Sequence, residues 1–180
     1  MAANSATDSP VTAPGNTRRS HSELWRYALH TYAQPGVADE MLRLQDECGA
    51  DVLWLLTALW LAEEDVALTS ELLIQPEYDD WRENMIVPIR NRRRECDRTE
   101  TPDLYELLKK AELEAEREGL RRLFLAFSDS GKGSDKNSTV EAEDNLMLIL
   151  KDKLLCATLV ELLTKLRLTV SGCNLGYGRV

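Results

Sequence analysis

Residues 52–62 read VLWLLTALWLA, with Asp51 immediately before them and Glu63, Glu64 and Asp65 immediately after. Thr57 is the one polar residue in the run. A helix that is apolar on every side must be covered on most sides, so this segment reads as the buried axis of a helical fold. Asp51 is placed to accept from the first free backbone amides as an N-cap. The run is too short for the roughly 20 apolar residues that a membrane-spanning helix needs, and acids close it off.

Working back toward the N-terminus, Val37, Met41, Leu44 and Cys48 share one helical stripe, while Asp39, Glu40, Arg43, Asp46 and Glu47 lie largely off it. That pattern gives a short surface helix with Gly49 as its C-terminal cap. Earlier still, Ser22 offers an N-cap and Trp25, Leu29 and Tyr32 recur at i, i+4 and i+7, until Pro35-Gly36 stops the helix. Residues 1–20 are mainly small and polar with Pro and Gly, and cannot offset the entropy of ordering, so they read as a disordered leader.

Toward the C-terminus, residues 70–74 suggest a turn, and Pro76 precedes a helical face marked by Trp81, Met85, Ile89 and Arg92. Pro88 is expected to kink that helix, because it removes a backbone donor and crowds the preceding turn. Thr101-Pro102 is a helix start, and Leu104, Leu107, Leu108, Ala111 and Ala115 carry the next helix toward Phe127. SDSGKGSDKNS at 128–138 has the composition of a linker, and the apolar-rich segment that follows reads as a last long helix. No period-two alternation suggests a strand.

The expected fold is therefore all-α: a single bundle of about five to six helices around a buried central apolar helix. The organisation is a leader at 1–20, a bundle at 21–127, a linker at 128–140, a C-terminal helix at 141–170 and a flexible tail at 171–180. Whether the C-terminal helix completes the bundle or is appended to it stays open.

Composition narrows the function classes. A formal charge of −9 over 180 residues disfavours broad binding to nucleic acid or anionic membrane, both of which attract an excess of Lys and Arg. The first 15 residues lack the cationic start and apolar stretch of a secretory signal. Cys48, Cys96, Cys156 and Cys173 are scattered, with no C-x-x-C pair and no zinc-ligand spacing. These features read as a soluble cytoplasmic protein with reduced thiols.

Four motifs occur in order: W-R-Y-A-L-x-x-Y from Trp25, L-x-L-Q-D-x-x-G-x-D-V-x-x-L-L from Leu42, W-R-x-x-x-x-x-P-I-R-x-x-R-R from Trp81, and E-L-E-A-E-R from Glu112. In combination they resemble a family of small uncharacterised bacterial proteins, a domain of unknown function. The resemblance covers about residues 22–127 and implies no reaction.

Arg82, Arg90, Arg92, Arg93, Arg94 and Arg98 are six guanidiniums within 17 residues. Guanidinium recognises phosphate and carboxylate through planar, bidentate contacts, so Arg82, Arg90, Arg92, Arg93 and Arg94 form a candidate surface for an anion or a partner. The competing reading is internal pairing with Glu83, Glu95, Asp97 and the acidic faces of neighbouring helices. Glu112 and Glu116 stand at i, i+4, and with Asp46 and Asp51 they are a conceivable magnesium site, although spaced acids on helices are usually a solvated face. His21 and His30 belong to no Glu-x-x-His pattern, which argues against a di-iron site. Gln45 and Asp46 are expected to tie the second helix to the third, and the four Trp to serve packing. Gly131-Lys132-Gly133 fails the Walker-A spacing, and no nucleophile triad can be assembled.

These residues point to a non-enzymatic interaction module that needs no cofactor or resident metal, with a protein as the expected partner and the oligomeric state open. The alternatives are magnesium-assisted binding or turnover of a phosphorylated small molecule, and weak RNA binding.

Overall fold

The computed structural model of the protein describes residues 22–128 and 142–150. Among these, the only regular secondary structure is helical: α1 (Ser22–Tyr32), α2 (Val37–Cys48), α3 (Val52–Glu63), α4 (Pro76–Trp81), a π-helical turn (Arg82–Ile86), α5 (Val87–Glu95), α6 (Pro102–Ser128) and α7 (Ala142–Leu150). The expected leader, linker and tail, and the last helix beyond residue 150, lie outside the described residues.

The central helix is where its sequence puts it. Every side chain of α3 from Leu53 to Ala62 is buried. Asp51 caps the helix by accepting from the Leu53 amide at 3.0 Å, and the buried Thr57 hydroxyl donates to the Leu53 carbonyl at 2.7 Å. Trp54 stands edge-on to Tyr78 of α4 and to Phe127 of α6, and Trp60 packs on Phe124. Gly49 ends α2 at φ 59°, and its amide donates to the Leu44 carbonyl. At Gly119 of α6, an added Cβ would lie 3.1 Å from both Ile86 and Leu53, so a small residue lets the long helix approach α3 and the π turn.

Three expected apolar faces are displaced. In α1 the core side is Leu24, Ala28 and Thr31, whereas Trp25 and Tyr32 are half-buried and Leu29 is 48% exposed. In α6 the first half of the expected stripe does not reach the core: Leu104, Leu107 and Ala111 are exposed and Leu108 is half-buried, with Ala115 the first residue of the stripe to be buried.

The third displacement has a local cause. Residues 76–95 run on as one helical rod in which the Val87 amide donates to the Arg82 carbonyl, the wide spacing of a π turn. Pro88 follows directly. Its missing N–H and its ring, which would crowd the carbonyl four residues back, are accommodated where the turn is already widened. One extra residue in a turn rotates everything after it by about 100°. Of the expected series Trp81, Met85, Ile89 and Arg92, Trp81 and Ile89 still pack against the core, Met85 and Arg92 are left exposed, and Ile86, Arg90 and Arg93 turn inward.

The segment Ala142–Leu150 completes the core. α7 lies against α3, with Leu146 and Leu150 fully buried. Between them and the loop after α3 sits Asn145, 1% exposed. Its amide oxygen accepts from the Leu68 amide at 2.8 Å, and its amide nitrogen donates to the carbonyls of Val66 and Ala58 at 3.0 and 3.2 Å. Asn145→Leu keeps the branching of the side chain but leaves the buried Leu68 amide unpaired, an expected loss of about 2 kcal/mol. Denaturant melts of the two proteins, with midpoint and slope compared, check this.

Candidate functional site

The π turn aims Arg90 and Arg93 at α6, which runs antiparallel to α5. Arg90 Nε donates to Glu112 at 2.8 Å, Nη2 to Glu116 at 2.6 Å, and Nη1 to the side-chain oxygen of Gln45 on α2 at 3.2 Å. Arg93 donates to both oxygens of Glu112 and, at 3.3 Å, to the Tyr105 hydroxyl. One guanidinium thus joins three helices, and one carboxylate holds two guanidiniums.

The acids respond in opposite directions. Burial pushes Glu112 up, but the hydrogen bonds from Arg93 and Arg90 outweigh it and hold its carboxyl below the ordinary range. Glu116 is held above that range: burial dominates, Arg90 opposes it, and the charges of Glu112 and Asp51 add to it. Arg90 loses to burial but gains more from the two glutamates, so both it and Arg93 stay firmly protonated.

The remaining candidate arginines do not join this cluster. Arg82 pairs with Asp51 at 2.6 Å, where the Tyr78 hydroxyl also donates at 2.7 Å. Arg92 pairs with Glu95 on the surface, and Arg94 reaches Asp46 at 3.7 Å. Arg98 lies 4.5 Å over the Tyr105 ring. The four acids considered for magnesium are likewise divided, Asp46 and Asp51 having separate partners from Glu112 and Glu116. Among the described residues, no group of three or more His, Cys, Asp or Glu is placed to hold a metal ion. Gln45 and Asp46 tie α2 to α5 rather than to α3. Trp54 and Trp60 are core residues, while Trp81 is half-buried, donates to the Ala115 carbonyl at 2.9 Å and carries Arg122 over its ring at 4.5 Å. Cys48 and Cys96 are thiols, and Cys156 and Cys173 lie outside the described residues.

Beside the Arg–Glu cluster opens a cleft of about 480 Å³ between α1, α2, α3, α5 and α6. Its floor is Leu53, Leu56 and Leu120, and its walls include Leu29, Leu42 and Leu113, left 48%, 42% and 46% exposed. Arg94, Lys109 and Lys110 stand at its mouth and are exposed. That size falls within the roughly 300–1,000 Å³ of ordinary binding pockets.

A family model described as "Protein of unknown function (DUF2390)" matches residues 23–123. The chain belongs to that family. No curated protein and no solved structure matches it. The DUF2390 match takes in α1 to α5 and α6 as far as Leu123, and so contains the whole Arg–Glu cluster and every residue of the cleft, whereas α7 and its Asn145 lie beyond it. No helix among the described residues is long and apolar enough to cross a membrane.

Sequence reasoning found Arg90, Arg93, Glu112 and Glu116 but missed the cleft they border. A signal for its α6 wall was present: Glu106, Lys109, Lys110 and Leu113 recur at i, i+3, i+4 and i+7, one face of a helix.

Proposed function

We propose that the protein acts by binding rather than by catalysis, as an interaction module whose docking surface is the cleft between α1, α2, α5 and α6. The observation that carries this reading is the contrast between the two neighbouring features. The Arg90–Arg93–Glu112–Glu116 cluster is paired from within, each guanidinium nitrogen donating to a carboxylate, to Gln45 or to Tyr105. The cleft beside it leaves large apolar side chains half open to water. Apolar surface gathered in a concavity and rimmed by polar groups is characteristic of interaction sites. The cluster then serves to lock α2, α5 and α6 into the shape of the cleft.

The magnesium-assisted alternative loses its support with the separation of its four acids. The RNA alternative is weakened because four of the six candidate arginines, Arg82, Arg90, Arg92 and Arg93, are in close ion pairs.

The test is affinity capture after chemical cross-linking in source cells, comparing the native chain with a Leu42→Lys, Leu113→Lys double variant. Both positions are on the surface, so the melting temperature is expected to stay within a few degrees. A protein captured by the native chain and lost with the variant supports the proposal. Identical capture profiles, or no specific capture by either, would sink it.

A further inference from the structure

Resting on that reading, we infer the chemistry of the occupant: an amphipathic helix of another protein, with aliphatic anchors on one side and acidic residues flanking them. Shape is the first argument. The α6 wall of the cleft runs from Tyr105 to Glu116, about 16 Å along the helix axis, enough for about three turns of a second helix laid beside it. Leu29, Leu42 and Leu113 come from three different helices and offer separate contacts to a row of apolar anchors. A helix in a groove reads such a row at i, i+3 or i+4, and i+7.

Charge is the second argument. Arg90, Arg93, Arg94, Lys109 and Lys110 line the cleft against Glu106, Glu112 and Glu116. The inner pairs neutralise one another, so the excess lies at the mouth. There Lys109 reaches Glu106 only at 4.0 Å and Arg94 reaches Asp46 only at 3.7 Å, loose contacts between exposed side chains that a closer carboxylate can displace. A basic rim on a chain of net charge −9 favours an acidic partner at the cleft.

The polar end also argues against a small anion held deep inside. Each nitrogen of Arg90 and Arg93 already donates to a side-chain oxygen of the protein, so a buried head group would have to compete with those bonds, whereas a helix seated on the apolar walls needs only the rim.

The full chain is titrated with two labelled synthetic helices that share a Leu row at i, i+4, i+7 and i+11. One is flanked by Glu and the other by Lys, and fluorescence anisotropy is the readout. The Glu-flanked helix is expected to bind at least tenfold more tightly, to weaken as salt rises, and to lose at least tenfold in the Leu113→Lys variant. In a Lys109→Glu, Lys110→Glu variant the preference is expected to reverse toward the Lys-flanked helix. Equal affinity of the two helices, a preference that the rim reversal leaves unchanged, or no binding of either would overturn the inference. A cleft-dependent partner could still be captured from cells in that case, so failure here and failure of the docking proposal are separable.

Discussion

Leu55→Asp is expected to leave the protein unfolded at room temperature. Leu55 is fully buried at the middle of α3 and belongs to the apolar cluster that forms the core. A carboxylate there must be carried into the core ionised and unpaired or be protonated at a cost, and either penalty adds to the lost apolar burial of the leucine. The total exceeds about 5 kcal/mol, a large part of the 5–15 kcal/mol that holds a typical domain together. Leu56 is a weaker choice, because it borders the cleft that Arg90 and Arg93 also line, where an aspartate could find a cation. Circular dichroism and a thermal melt decide the matter: a cooperative transition at the native temperature in Leu55→Asp would mean that α3 is not the axis of the fold.

The second large effect is expected at Glu112. Glu112→Gln keeps the shape of the side chain but removes the negative charge shared by Arg90 and Arg93. Breaking one side of a buried pair costs more than the pair contributes, because the remaining charge stays desolvated. A loss of about 3 kcal/mol is expected, since Glu116, Gln45 and Tyr105 still reach the two guanidiniums and solvent screens part of Arg93. For a chain of this size that corresponds to roughly 10 °C in melting temperature.

The pH dependence separates the two glutamates. Glu112 is depressed in the folded state, so its contribution is fully present above the ordinary value of 4.5 and is lost as pH falls through its lower folded value. Glu116 is raised in the folded state, so its ionisation costs stability as pH rises from 4.5 through its higher folded value. Glu112→Gln is therefore expected to flatten the acid limb of the stability curve. Glu116→Gln should change neutral-pH stability by less than about 1 kcal/mol, the lost pairing with Arg90 being offset by relief from burying a charge. Urea melts across roughly pH 3–7 measure both, and equal losses from the two substitutions would show that the acids are interchangeable.

Much of the architecture was legible residue by residue. The apolar run from Val52 to Ala62 needed no context, because no other soluble arrangement tolerates a helix without a polar side. Asp51, Gly49 and Pro102 act through local backbone chemistry, and each stands at the helix end that its chemistry implies. Apolar periodicity was less reliable where it mattered for the site. A stripe such as Trp25, Leu29 and Tyr32 declares that one side of a helix avoids water, but the same pattern describes a face against the core and a face along an open cleft. Leu104, Leu107 and Ala111 carry the same ambiguity.

The arginines were visible as a cluster, and their division into inward and outward members was not. That division depends on one extra residue in the turn before Pro88, and a period of 3.6 carried across that turn points Arg92 where Arg93 stands. Asn145 was equally hidden, since an isolated polar residue in an apolar helix gives no sign of the three backbone groups it will meet 77 to 87 residues away.

The central claim is that partners meet this protein at the cleft and not across its surface at large. Photo-cross-linking in source cells tests it most directly, with a benzophenone side chain placed at Leu113 or at Leu125. The two positions lie on the same helix and are 46% and 47% exposed, but only Leu113 lines the cleft. A discrete cross-linked species from Leu113 and none from Leu125 is the expected result; the same adducts from both positions, or adducts from Leu125 alone, would contradict it.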